Sequence, residues 1–249
     1  MLHESLTSDL FDWRLAVAAL VCTGAGVMRG FAGFGSVMVT APLLGMLFGP
    51  LQMVVMVMTM ELAISLSLLR GALKDVEWRF VTVMSAGAAL AMPFGSLLLT
   101  SVDPDILIRG IAAVVLAFVL LLWSGWRYPG PKRMPITFAL GGVSGAMLGA
   151  TSMGGPPVLA YMLAGRDSAA VNRANIIVYF TVIEMILIAI MLLRGLIGAE
   201  GVARGAILTP AFMLAGYVGA RCFRQSSEAL YRRIALLALT AIALFGLLR

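Results

Sequence analysis

Gly149-Ala150-Thr151-Ser152-Met153-Gly154-Gly155-Pro156-Pro157 interrupts an otherwise apolar run from residue 136 to residue 164. Glycine removes the preference for helix and proline removes a backbone donor, so a helix entering this stretch has to stop and restart. At about 1.5 Å per residue the run is too long for one crossing of a hydrocarbon core about 30 Å thick. A second stretch, Arg29-Gly30-Phe31-Ala32-Gly33-Phe34-Gly35-Ser36, does the same to the run 14–49. Two broken helices are expected, one near each end of the first two thirds of the chain.

The rest of the chain says which solvent surrounds them. Of 249 residues, 61% are apolar, 27 more are glycine and only 12% are charged, where a soluble domain carries about 25% charged residues. Lipid is therefore the expected partner. A window of about 19 residues picks out apolar runs at 14–49, 51–70, 80–101, 106–126, 136–164, 174–194, 202–221 and 229–248. The net charge of +6 lies in short segments between these runs, with no basic stripe of the kind that binds nucleic acid. One His and two Cys supply no ligand set for zinc, haem or an iron–sulfur cluster, and no metal or other cofactor is expected. Cys22 and Cys222 read as packing residues, and residues 1–14, with three acids and one Arg, lack the basic start of a secretory signal.

Each broken run either turns back to its own side as a hairpin of half-helices or crosses once with a kink, and the distribution of Lys and Arg separates the two. With hairpins, Arg70, Lys74, Arg79, Arg127, Lys132, Arg133, Arg166, Arg173, Arg221, Arg224, Arg232 and Arg233 share one side, against Arg14, Arg109, Arg194, Arg204 and Arg249 on the other. Single kinked crossings spread the same residues more evenly. The hairpin is preferred, the basic side is cytoplasmic, and both termini face outward. Two short full crossings in place of a hairpin would leave the same parity.

The second half of the chain restates the first. Leu68-Leu69-Arg70-Gly71 returns as Leu192-Leu193-Arg194-Gly195, and the small residues around Gly95 return around Gly219, at an offset of 124. The two breaks align at an offset of 119, which sets Gly35 opposite Gly154. Each half then holds one broken hairpin helix and three crossings; an odd number of crossings makes the repeats inverted. The expected fold is an all-α polytopic membrane protein, with residues 1–126 as the first repeat, 127–135 as a cytoplasmic linker and 136–249 as the second repeat.

Paired, glycine-interrupted helices in an inverted repeat point to a transport site, because irregular backbone persists at membrane depth only inside protein or beside a water-filled cavity. Gly141, Gly145 and Gly149, four apart, fit close helix packing instead. Helices that restart at Ser36 and near Pro156 present N–H groups and a partial positive charge to an anion. The candidate binding residues are Arg29, Gly33, Phe34, Gly35 and Ser36 in the first break, and Thr151, Ser152, Met153, Gly154, Gly155 and Pro156 in the second. Arg29 supplies a planar fork suited to carboxylate, sulfonate or phosphate oxygens. For the hydroxyls helix capping is an equal alternative, and for Phe34 and Met153 packing is the stronger one. Glu61 and Glu184 sit deep in equivalent runs and are candidates for carrying a proton or for a static partner role. Asn172, Arg173, Asn175 and Tyr179 are candidates for a cytoplasmic vestibule. GFAGFG at 30–35 is not a dinucleotide fingerprint, since no strand precedes it.

Three segments, GFAGFGSVMVTAPLL from Gly30, GATSMGGPPVLAYML from Gly149 and GARCFRQSSEALYRRIALLALTAIALFGLL from Gly219, resemble the sulfite exporter TauE/SafE family along nearly the whole chain. The resemblance implies a bacterial inner-membrane carrier that moves sulfite, sulfoacetate or a related small sulfur-containing anion outward, with Gly33 to Ser36 and Ser152 to Pro156 as substrate-proximal backbone. It is silent on Arg29, Glu61 and Glu184. Family members often have a further glycine where this chain has Ser36. The rivals are an anion channel of the same fold and a membrane-embedded enzyme; the second would need a nucleophile–base or metal constellation that one His and acid-free breaks do not offer.

Overall fold

The computed structural model describes residues 12–32, 35–103, 133–163, 167 and 169–223, together with scattered positions between 105 and 124. Eight helices are delimited among them: α1 Trp13–Ala32, α2 Ser36–Phe48, α3 Pro50–Ala72, α4 Trp78–Ser101, α5 Met134–Thr151, α6 Gly155–Leu163, α7 Ala169–Leu193 and α8 Ala199–Phe223. No strand occurs among the described residues. Five spans are long and apolar enough to cross a membrane: Pro50–Ala72, Trp78–Ser101, Met134–Thr151, Ala174–Leu193 and Ala199–Gly219. Large apolar side chains such as Leu90, Phe94, Leu193 and Leu214 stand exposed on these helices, as a lipid-facing surface requires. Pro42, Pro93 and Pro210 lie inside helices, a placement that membrane helices tolerate far better than soluble ones. The run 229–248, most of 106–126 and most of the linker 127–135 lie outside the described residues; α5 already begins at Met134.

The chain divides into two compact units. The first comprises Met1–Met60, Pro104–Leu116 and Ile197–Arg249, and the second Glu61–Asp103 and Ala117–Leu196. Each unit therefore draws on both halves of the sequence.

In the first unit α1 packs along α8. The contact is a backbone-to-backbone approach: a Cβ on Gly26 would overlap the Phe212 carbonyl, one on Gly30 the Gly216 carbonyl, and one on Gly219 the Val27 carbonyl. Small residues permit this in membranes, where close van der Waals contact replaces the hydrophobic drive. In the second unit α5 packs along α4 in the same manner. Here Gly145 meets the Ala88 carbonyl, Gly149 the Met92 carbonyl and Gly95 the Ala146 carbonyl. These contacts correspond one to one. Gly26, Val27 and Gly30 stand 119 residues before Gly145, Ala146 and Gly149, and Ala88, Met92 and Gly95 stand 124 residues before Phe212, Gly216 and Gly219. Those are the offsets that relate the two halves of the sequence.

Both broken runs fold back on themselves. In the first, Arg14 at the start of α1 donates to the Leu47 carbonyl at the end of α2, 3.3 Å away, so α2 returns beside α1. In the second, Tyr161 near the end of α6 meets Thr137 near the start of α5 at 3.1 Å, and its ring stacks on Phe80 of α4 at 6.2 Å. The single kinked crossing is thereby excluded for both. One expectation needs correction, because the arms are unequal rather than two halves. α1 and α5 have 20 and 18 residues, about 30 and 27 Å at 1.5 Å per residue, whereas α2 and α6 have 13 and 9. The reason is that Gly24, Gly26 and Gly30 do not break α1. Gly26 and Gly30 are spent on contact with α8, and the helix continues until the Gly33–Gly35 stretch.

Candidate functional site

The second break can be followed atom by atom. α5 ends at Thr151, whose hydroxyl donates to the Met147 carbonyl at 2.7 Å and accepts from the Met153 N–H at 3.2 Å. Ser152 then takes a left-handed conformation, φ 58° and ψ 10°, while its N–H still bonds the Leu148 carbonyl. It is the one described non-glycine residue with positive φ, a conformation costing an L-residue about 1 kcal/mol. Its hydroxyl is buried and makes no hydrogen bond among the described residues. A buried, unsatisfied donor on a strained residue is the kind of feature that a ligand completes. Met153 is also buried.

Gly154 follows with its carbonyl held by Ser144 Oγ at 2.6 Å. Ser144 in turn accepts from the Tyr179 hydroxyl at 2.8 Å. A Cβ on Gly154 would come within 2.8 Å of both the Ser144 carbonyl and the Ser144 hydroxyl, so the turn lies tight against α5. α6 then starts at Gly155. Pro156 and Pro157 occupy its first turn, preset for helix but without N–H groups. The α6 terminus thus offers fewer backbone donors than an ordinary helix start, and the hydroxyl of Ser152 is the side-chain donor next to it.

The first break is built differently. α1 carries Arg29 in its last turn, buried, where a cation complements the helix C-terminus. Gly33 and Phe34 lie outside the described residues. Gly35 takes φ 93° as the N-cap of α2 and gives no side-chain cap, and it lies against the methyl of Met28, where a Cβ would come within 2.7 Å. Ser36, buried, opens α2 and is followed by Val37 and Met38, so every residue of this first turn keeps its N–H. Thr40 bonds back to the Ser36 carbonyl at 3.1 Å.

The remaining predicted residues fall into two groups. Glu61 and Glu184 are both buried midway along α3 and α7. On α7, Asn172, Asn175 and Tyr179 share one helix face at three- and four-residue spacing, and all three are buried. Asn175 Oδ1 accepts the Glu77 N–H at the start of α4, 2.7 Å away. Asn172 reaches the Asp167 carbonyl at 3.4 Å. Asn172 Oδ1 and Asn175 Nδ2 are buried without a hydrogen-bond partner among the described residues. Arg173 lies on α7, its side chain outside the described residues. Sequence position groups Tyr179 with the vestibule, but its hydroxyl is engaged with Ser144 and it is wholly buried. Its contacts tie it to the second break.

Sequence reasoning missed Ser144. The available signal was a hydroxyl inside the Gly141–Gly145 packing stripe, where a purely steric role calls for Gly or Ala. It also missed a cluster in the first unit, announced only by the four-residue spacing of Glu200 and Arg204. Arg204 bonds Glu200 at 2.7 Å and Gln52 at 2.7 Å, and lies 4.6 Å from the Phe48 ring centroid. This cluster joins the starts of α8 and α3. Among the described residues no three His, Cys, Asp or Glu side chains converge as metal ligands.

Five long apolar helices and two turned-back hairpins are the features of a polytopic membrane protein. The family model for sulfite exporter TauE/SafE matches residues 18–246. The chain belongs to the sulfite exporter TauE/SafE family. It is accordingly an integral membrane transporter of a sulfite and sulfonate exporter family. No curated protein and no solved structure matches this TauE/SafE chain.

Proposed function

We propose that this TauE/SafE protein exports sulfite or a small organosulfonate such as sulfoacetate across the bacterial inner membrane by alternating access between two inverted repeats, residues 1–126 and 136–249. The single observation that carries the site assignment is the buried Ser152 hydroxyl, without a hydrogen-bond partner among the described residues, in the left-handed turn between α5 and α6. The identical registers of the α1·α8 and α5·α4 contacts support the repeat.

In this reading each break is an anion-binding element with its own chemistry. The α2 N-terminus supplies backbone N–H groups from Gly35 and Ser36 onward, with Arg29 as the full charge. The α6 turn supplies the Ser152 hydroxyl and the N–H groups of Gly154 and Gly155, while the Thr151 hydroxyl, its proton spent on the Met147 carbonyl, shapes the turn. Oxygens of a sulfite or sulfonate accept such bonds, and charge-assisted ones are about twice as strong as neutral ones. Asn172, Arg173 and Asn175 line the cytoplasmic approach, the Arg- and Lys-rich side faces the cytoplasm, and both termini face outward.

Moving one negative charge out of a negative interior is favoured by about 2.3 kcal/mol per 100 mV, so export of a monovalent anion has a driving force without coupling. Glu61 and Glu184, both buried at mid-helix, add the proton gradient if one of them loads a proton outside and releases it inside. The test is flux into proteoliposomes for sulfite, sulfoacetate, taurine and sulfate, with and without a pH gradient. Saturable flux accelerated by counter-substrate, for sulfite or sulfoacetate above sulfate and taurine, is the expected result. Currents far faster than a carrier cycle would make the protein a channel. Flux indifferent to pH in wild type would remove the carboxylates from the mechanism.

A further inference from the structure

The hydrogen bonds at the second break run in one direction. Ser144 has a single hydroxyl proton, and its Oγ lies 2.6 Å from the Gly154 carbonyl, which can only accept. The Tyr179 hydroxyl must then be the donor across the 2.8 Å to Ser144. The order Tyr179 to Ser144 to Gly154 carbonyl is fixed by chemistry, and all three groups are buried.

The consequence bears on anion binding. Gly154 immediately precedes α6, and its carbonyl is the acceptor that shares a peptide plane with the Gly155 N–H. An unmasked carbonyl there would repel an anion, and a peptide plane free to rotate would turn the Gly155 N–H away together with it. Ser144 occupies the carbonyl's lone pair and clamps that plane, while Tyr179 keeps Ser144 from rotating to bond elsewhere. The residues that correspond at the two repeat offsets are Ala25 for Ser144 and Val55 for Tyr179. Neither corresponding residue carries a hydroxyl, and the α2 start loses none of its first turn's N–H groups to proline.

Building on the site assignment above, we infer that Ser144 and Tyr179 are a positioning pair that sets anion affinity at the α5–α6 turn without touching the anion. The experiment is transport of sulfoacetate by proteoliposomes holding full-length protein, comparing Ser144→Ala, Tyr179→Phe, their double variant, Ser152→Ala as the site reference, and Thr137→Val. The last cuts the Thr137–Tyr161 bond at the far end of the same hairpin. The pair predicts a KM raised about tenfold by Ser144→Ala and about threefold by Tyr179→Phe, with maximal rate per folded molecule within about twofold. Tyr179→Phe adds nothing once Ser144 is Ala, because both act through one carbonyl. A merely structural role would lower the folded yield and leave KM where it was.

If Ser152→Ala raises KM while Ser144→Ala and Tyr179→Phe leave it unchanged, the positioning pair is wrong and the site stands. If Thr137→Val raises KM as much as Ser144→Ala, any loosening of the hairpin suffices and the pair has no special place. If Ser152→Ala itself leaves KM unchanged, the site is misplaced and the inference falls with it.

Discussion

The two breaks have the same scaffold and different chemistry. Around each, a long helix lies against a partner with glycines facing carbonyls in one register, and a shorter helix turns back. At the turns themselves the first has Arg29, glycine in the left-handed position and a first helical turn free of proline. The second has Leu148 at the position matching Arg29, serine in the left-handed position, two prolines, and a hydroxyl network fixing the turn. A repeat preserves what packing demands, since every glycine-to-carbonyl contact fails if either side gains an atom. The turn chemistry carries no such packing constraint and has diverged.

The largest effects should fall on the shared part. Gly30→Ala and Gly149→Ala each drive a methyl into a backbone carbonyl, which costs about 3 kcal/mol or more because backbone cannot swing aside. Both should lose most folded protein in detergent size-exclusion profiles. Gly24→Ala, which meets nothing within 4 Å, should keep it. Equal loss at Gly30 and Gly149 supports equivalent packing roles, and tolerance at one alone would break the comparison.

Next in size is Arg29→Ala, which should abolish anion binding, measured as a loss of at least about a hundredfold in transport KM or of saturable flux. Arg29→Lys keeps the charge without the fork and should recover only part of it. Retention of wild-type affinity in Arg29→Ala would reduce this arginine to a cap on the α1 C-terminus. Glu61→Gln and Glu184→Gln sharpen the same question for protons. At least one should remove the dependence of flux on a pH gradient, and normal proton-driven flux in both would dismiss coupling through them.

Ser152→Gly should separate stability from affinity. Glycine relieves the left-handed strain, raising stability by up to about 1 kcal/mol, while loss of the hydroxyl raises KM about tenfold. Thermal unfolding and transport on the same preparation would read both, and a loss of stability would mean the hydroxyl is structural. The smallest change expected is at Arg204. Arg204→Ala removes charge-assisted bonds to Glu200 and Gln52, costing about 2 kcal/mol in stability with sulfoacetate KM unaltered.

Much of the architecture was legible because it rests on arithmetic that local sequence carries. Apolar run lengths located α3, α4, α7 and α8 within a few residues, and the Lys and Arg distribution chose hairpins over kinked crossings. The length of the arms was not legible. Gly24, Gly26 and Gly30 look like breakers in sequence, and only the partner helix α8 reveals that two of them are contact sites. The site was half legible for a related reason. Glycine and proline mark where a helix stops, so Ser152 and Gly154 can be named, but Ser144 and Tyr179 act on the Gly154 carbonyl from sequence separations of 10 and 25, and no spacing rule anticipates that. Tyr179 lies one helical turn from Asn175, which in sequence places it with the vestibule, whereas its contact with α5 depends on which helix it faces.

The central claim is that a sulfur-containing anion occupies the α5–α6 turn. The most direct test puts a reporter there: Ser152→Cys with Cys22 and Cys222 changed to Ser, labelled with a maleimide in proteoliposomes as sulfoacetate is raised. The account predicts slowing of labelling that saturates, with half-protection at the KM for sulfoacetate transport by the same variant. Labelling at an unchanged rate under saturating sulfoacetate, in a variant that still transports it, would contradict the account.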